Sequence, residues 1–163
     1  MSLGAIARAA GVSVPTVRLR YPGGKVDVAT AALADMRSRS EQPDSGDLRA
    51  GLVEQLQRLR RGLERPFGVA MVGTVLAEEH HTPALLEAFR ERVVAPRRRR
   101  LLAVLEAGRD RGEVDADADL EAIVALLIGS YYALRLAATP VPPDWPARHV
   151  DAVLRSSLPE ATP

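Results

Sequence analysis

The stretch Ile6-Ala-Arg-Ala-Ala-Gly-Val-Ser-Val-Pro-Thr-Val-Arg-Leu-Arg-Tyr-Pro-Gly-Gly-Lys25 decides how the chain is read. Leu3, Ile6, Ala7 and Ala10 recur at helical spacing, so the first segment has one apolar face. Gly11 follows at once and suits the left-handed turn that ends a helix. Ser13 offers an oxygen to the free N–H groups of a new helix, and Pro15 is tolerated in its first turn. Val17 and Tyr21 give that second helix a buried side, while Arg18 and Arg20 add positive charge. A short helix, a glycine turn and a capped basic helix is the layout that places a helix in the DNA major groove.

Charge is distributed to match. The chain of 163 residues has a formal net charge of only +1. Residues 1–39 nevertheless carry Arg8, Arg18, Arg20, Lys25, Arg37 and Arg39 against Asp27 and Asp35, a formal +4, which leaves −3 for the rest. A basic head on a mildly acidic body fits a part that meets phosphate joined to one that does not. With no cysteine, disulfides and thiolate metal sites are excluded, and a cytoplasmic setting without a secretory leader is the expectation. The longest apolar run, Leu120–Ala138, is interrupted by Glu121, Gly129, Ser130 and Arg135 and is expected to be a buried helix rather than a membrane span.

The remaining pattern is helical throughout, so the expected fold class is all-α. Val28, Ala29, Ala32, Leu33 and Met36 continue the head as a helix. The polar break Ser-Glu-Gln-Pro-Asp-Ser-Gly over 40–46 is the expected boundary between a head domain, 1–39, and a body domain, 44–158. In the body, Asp44 or Ser45 is expected to cap a helix with Leu48, Leu52, Leu56, Leu59 and Leu63 on its inner face. Thr82-Pro83 reads as a hydroxyl cap followed by proline, opening a long helix to about Arg111 with a kink at Pro96. Gly112 ends it, Asp117 is expected to cap a helix to about Leu136, and Asp144 a last one to Leu158. Leu120–Leu136 is apolar around most of its circumference, and Ala147, Val150, Val153, Leu154 and Leu158 make a stripe on the last helix. Pairing with a second copy through these two helices would cover both faces.

Competing chemistries are poorly supported. No catalytic constellation, phosphate-binding glycine loop or metalloprotease spacing occurs, so no enzyme activity, cofactor or metal is expected. Glu78-Glu79-His80-His81 has ligand types, but adjacent histidines diverge on a helix, and a polar helix end accounts for them better. Arg97–Arg100 points around most of a helix and reads as solvated or salt-bridged surface rather than a nucleic-acid patch.

Together these residues resemble the tetracycline-repressor-like (TetR) family of transcriptional regulators. The match rests on Ile6-Ala7, Ala10-Gly11-Val12-Ser13, Thr16-Val17, Tyr21-Pro22 and Lys25 in the head. In the body it rests on Phe89–Arg92, Pro96–Arg98, Arg111–Glu113, Asp117–Leu120 and Gly129–Tyr132. The sequence lacks the family's usual first helix, has Arg18 where the family most often has tyrosine, and has one extra residue in Pro22–Lys25.

The resemblance implies a helix-turn-helix head followed by a helical regulatory and dimerisation domain. It implies a homodimeric, ligand-responsive regulator, a repressor on a palindromic operator. Ser13, Val14, Pro15, Thr16, Arg18 and Arg20 then lie where the family touches DNA, with Lys25 matching a phosphate contact. A small-molecule pocket, apolar or amphipathic in its ligand, would draw on Phe67, Met71, Val75, Leu86, Phe89, Leu102, Leu105, Leu127 and Tyr131. The alternative is a dimerisation or ligand-binding module that no longer holds DNA effectively.

Overall fold

The computed structural model describes residues 2–25, 27–29, 31, 46–65 and 68–155. Among these the secondary structure is entirely helical. The helices are α1 (Leu3–Ala9), α2 (Val14–Arg20), α3 (Leu48–Leu63), α4 (Gly68–Ala77), α5 (Pro83–Phe89), α6 (Ala95–Asp110), α7 (Leu120–Leu136) and α8 (Trp145–Arg155). Residues 25, 27–29 and 31 are also helical, as the head pattern implies; Ala32, Leu33 and Met36 lie outside the described residues. The chain forms two compact units. One joins Met1–Glu41 with Met71–Ala95, and the other joins Gln42–Ala70 with Pro96–Pro163.

In the second unit the leucine ladder of α3 behaves as its spacing predicts. Leu48, Leu52, Leu56, Leu59 and Leu63 are all buried. They meet α8 and α7, which also pack on each other. Helix α6 runs antiparallel to α3: Gly108 lies against Leu48, and the Arg97 guanidinium lies near Gly62. The approach at Gly108 is so close that an added Cβ would stand 2.8 Å from Leu48 Cδ1. On α7, Leu120, Ile123, Val124, Leu127 and Tyr131 face inward. Helix α8 is held by Trp145, which is fully buried. Its indole Nε1–H donates to Ser130 Oγ at 3.1 Å, and that hydroxyl donates to the Leu127 carbonyl at 2.8 Å. Tyr131 meets the indole edge-on at 5.2 Å. Burial raises the Tyr131 phenol above its ordinary pKa.

The first unit has its own core where α4 meets α5. Val75, Leu86 and Phe89 are buried together, with Met71, Val72, Leu85, Val93 and Val94 against them.

Several helix boundaries differ from those expected, for identifiable reasons. The cap of α3 is Asp47, whose side chain accepts from Ala50 N–H at 2.6 Å; Asp44 and Ser45 lie outside the described residues. The cap of α7 is Asp119, accepting from Ala122 N–H at 3.0 Å, rather than Asp117. Asp117 instead donates its own N–H to Asp115 Oδ1 at 2.8 Å in the preceding turn. Thr82 stands at the cap position of α5 without a side-chain cap bond: its hydroxyl donates to Glu78 Oε2 at 2.9 Å, and Leu85 N–H goes to the Thr82 backbone carbonyl at 2.9 Å.

The kink expected at Pro96 takes the form of a π turn over Arg90–Val94. Pro96 has no N–H to return to the preceding turn, and its ring crowds the carbonyl four residues earlier. The wider turn absorbs both effects, with Ala95 N–H donating to Arg90 O.

Replacing Trp145 with alanine should cost about 3–5 kcal/mol, read as a lowered urea midpoint, since it empties a buried site and strands Ser130. A second expectation concerns acid. Arg49 grips Asp151 with two bonds, Nε to Oδ1 at 2.6 Å and Nη2 to Oδ2 at 3.0 Å, tying α3 to α8. That hydrogen-bonded guanidinium holds the Asp151 carboxyl below the ordinary carboxylate range. The stabilisation should therefore be complete above the unfolded aspartate pKa of about 3.9 and fade as pH falls through the depressed native value. A double-mutant cycle with Arg49→Met and Asp151→Asn should show coupling at pH 7 that vanishes in strong acid.

Candidate nucleic-acid interface

The interface is built by the way α1 hands the chain to α2. Helix α1 starts at Ser2, whose hydroxyl oxygen accepts from Ala5 N–H at 3.2 Å. It ends at Gly11, which has φ of +66°, a conformation that costs a side-chain-bearing residue but not glycine. Gly11 N–H then donates to the Arg8 carbonyl at 3.2 Å and Val12 N–H to the Ala7 carbonyl at 3.0 Å. This pair of bonds closes the helix and reverses the chain. Two residues on, Ser13 Oγ accepts from Thr16 N–H at 3.2 Å and opens α2. The Ser13 and Thr16 hydroxyls are also bonded to each other at 2.8 Å. Pro15 lies in the first turn, where its missing N–H leaves no helical bond unmade.

Val17 fixes which side of α2 faces its own unit. It is buried, as is Ala7 on α1, and α1 packs against α2. Tyr21, half-buried, terminates the helix with its N–H on the Val17 carbonyl at 2.8 Å. The corner that follows is held by Asp27, which accepts from Gly23 N–H at 2.7 Å. Lys25 stands at the start of the next helical segment. The extra residue in Pro22–Lys25 is thus taken up in a turn in which Gly24 N–H donates to the Tyr21 carbonyl at 2.9 Å.

The structure places the predicted contact residues as follows. Ser13, Pro15, Thr16, Arg18, Arg20 and Lys25 are exposed, and Val14 is half-buried. No acidic side chain among the described residues pairs with Arg18, Arg20 or Lys25. The body differs. Arg49 meets Asp151, Arg58 meets Glu54, Arg60 meets Glu64, Arg98 meets Glu121 and Arg111 meets Glu113. Cations without local counterions on one short helix leave a positive surface suited to phosphate.

Residue Leu19, which the motif does not mark, is 86% exposed on the same helix. Counting residues around α2 from buried Val17 would have found it. Asp27 was also missed; an acceptor four residues after an unpaired loop N–H is its only signal.

The residues expected to line a pocket fall into two groups, one in each unit. Val75, Leu86 and Phe89 are buried with Met71 beside them; Leu105, Leu127 and Tyr131 are buried elsewhere, and Leu102 is half-buried. Phe67 lies outside the described residues. Two features of the second unit bear on polarity. Burial lowers the Arg97 guanidinium below its ordinary pKa, and burial raises Tyr132 above its own. Of the acidic–histidine run, Glu78 is taken by Thr82, and Glu79 lies 3.5 Å from Arg90. Among the described residues no group of three or more potential ligands gathers for a metal. No helix among them is long and apolar enough to cross a membrane.

A capped, basic, outward-facing second helix after a glycine turn defines a helix-turn-helix regulator. Residues 42–153 match the family model described as the tetracyclin repressor-like C-terminal domain, and the chain belongs to the TetR family of transcriptional regulators. It is 29% identical to the HTH-type transcriptional regulator Mb1581 of Mycobacterium bovis, over 99% of this chain and 80% of that one. The same figures hold for the HTH-type regulator Rv1556 of Mycobacterium tuberculosis. The fold is similar to the crystal structure of the TetR family transcription regulator SCO0332. That match has a TM-score of 0.68 and 25% identity, covering 97% of this chain and 87% of the other. The family is a non-enzymatic class, in line with the sequence.

The cap makes a prediction of its own. Ser13→Ala should destabilise the head by about 1 kcal/mol and Ser13→Gly by only a few tenths, because glycine leaves the helix-end amides open to water. Amide exchange at Val17–Tyr21 should rise clearly in Ser13→Ala and only slightly in Ser13→Gly.

Proposed function

We propose that the chain is a ligand-responsive repressor, acting in the cytoplasm as a homodimer that sets two copies of α2 on a palindromic operator. The observation that carries the DNA-binding part is the exposed face of α2, with Pro15, Thr16 and Arg18 outward, Arg20 beside them and no counterion for either arginine among the described residues. Ser13 and Val14 at the helix start and Lys25 after the corner complete the proposed contact set. Lys25 and the two arginines serve phosphate and guanine, where a guanidinium replaces the family's usual phenol at position 18.

The homodimer reading draws on the outer face of α7. Ala122, Leu126, Gly129, Ala133 and Leu136 are all exposed, at alternating steps of four and three residues. Leu126 is 63% and Leu136 88% exposed. That uncharged stripe has the spacing of a helix-pairing seam, with small residues that admit a close neighbour. Helix α8, which packs on α7, carries half-buried Ala147, Val153 and Leu154, and the last two long helices are the proposed interface. The effector is proposed to be apolar or amphipathic, in keeping with the hydrocarbon character of the buried residues within each unit.

Operator binding is tested with the native upstream DNA against random duplex. Affinity for the former should be higher and should fall steeply with salt. Arg18→Ala should weaken it at least about fivefold while sedimentation still shows the dimer. Equal affinity for both DNAs in a well-folded dimer would instead identify a dimerisation module without a working head. Gly129→Arg should convert the dimer to monomer at micromolar concentration, read by sedimentation; an unchanged mass would exclude α7 as the seam.

A further inference from the structure

Helix α2 presents an apolar tip where a purely phosphate-binding helix would present polar groups. An α-helix turns about 100° per residue, which sets Pro15 and Leu19 each about 160° from buried Val17. These two positions therefore lie on the side of α2 turned directly away from its own unit, with Thr16 and Arg18 on its flanks. Leu19 is 86% exposed, while Val17 is 6% exposed. Thr16 has its hydroxyl engaged with Ser13 Oγ at 2.8 Å, which leaves its methyl as the other branch of the side chain. The centre of the outward face is thus made of hydrocarbon, with the Arg18 guanidinium along one edge and Thr16 along the other, and Arg20 lies beyond Thr16 towards the buried side.

In the major groove the base-edge group that hydrocarbon recognises is the C5-methyl of thymine. We infer that Leu19 is a specificity-determining residue of the head, reading a thymine methyl at one position of each half-site while Arg18 and Arg20 hold the flanking backbone or guanine. The inference rests on the proposed DNA-binding role and names what the tip of α2 selects. It assigns Leu19 a task different from that of the arginines. They set affinity and its salt dependence, and Leu19 sets base preference without altering the number of phosphate contacts.

The test uses the full chain and a duplex selected by it from a random-sequence pool. Each thymidine of that duplex is replaced in turn by deoxyuridine, which removes only the methyl group. At one thymidine per half-site the replacement should weaken the wild-type protein about fourfold, the value of one buried methyl. Leu19→Ala should bind the thymidine duplex correspondingly more weakly, show no further loss with deoxyuridine at that position, and keep the wild-type salt slope. Leu19 is 86% exposed, so circular dichroism of the variant should match the parent. If deoxyuridine weakens both proteins equally, if no thymidine matters, or if Leu19→Ala retains the parent's affinity, the assignment of Leu19 is overturned. A protein that enriches no sequence at all overturns the DNA-binding reading as well, so the two failures are told apart.

Discussion

The first amides of a helix have no partner within it, and among the described residues a short polar side chain meets that need at four helix starts. Ser2, Ser13, Asp47 and Asp119 each accept from the N–H three residues on. Each fixes where its helix begins, and hence which residues fall on the buried face. At Ser13 the consequence is functional: starting α2 one residue later would turn Val17 off the core and carry the arginines round with it. At Asp47 and Asp119 the consequence is packing, because Leu48 and Leu120 follow immediately and are both buried. The caps thus join local chemistry to the core.

This explains what the sequence disclosed and what it did not. The periodicity of Leu48 to Leu63 is long and regular, and every member is buried as read. Gly11 and Gly112 were legible as helix ends because a left-handed residue is needed there and both have it, with φ of +66° and +74°. The caps were harder. Several acceptors precede α3 and α7, and in each the one used stands directly before the first buried leucine. Asp117 loses to Asp119 on that ground. Thr82 could not be judged locally, since its side chain turns back to Glu78 while Leu85 N–H goes to the Thr82 backbone carbonyl. The π turn was hidden for a similar reason: Pro96 announces a disturbance but not the form it takes.

The candidate site was legible in its skeleton and less so in its emphasis. The motif marked the turn, the cap and the cations, all of which have local signatures. It passed over Leu19 because an exposed leucine is unremarkable in a list of residues and becomes informative only beside buried Val17. The pocket residues were selected as apolar positions of a body domain. Packing divides them between two units, a division that depends on contacts distant in sequence and so leaves no local trace. Charge is spread unevenly along the chain, and ion pairing follows that distribution. Several body arginines, Arg58, Arg60 and Arg111 among them, find carboxylates within four residues, whereas the head has fewer acids than bases.

The contact between Leu48 and Gly108 sets a rule for how this body can vary. The two positions are sixty residues apart, yet they share one volume, all of it filled from the α3 side. Gly108 also gives its carbonyl to Glu113 N–H at 2.9 Å in the turn that closes α6. A relative with a larger residue at the second position must turn the first side chain aside, carry a smaller one there, or draw α3 and α6 apart. Side-chain sizes at the two places should therefore rise and fall in opposition across the family, a link that neither helix reveals on its own.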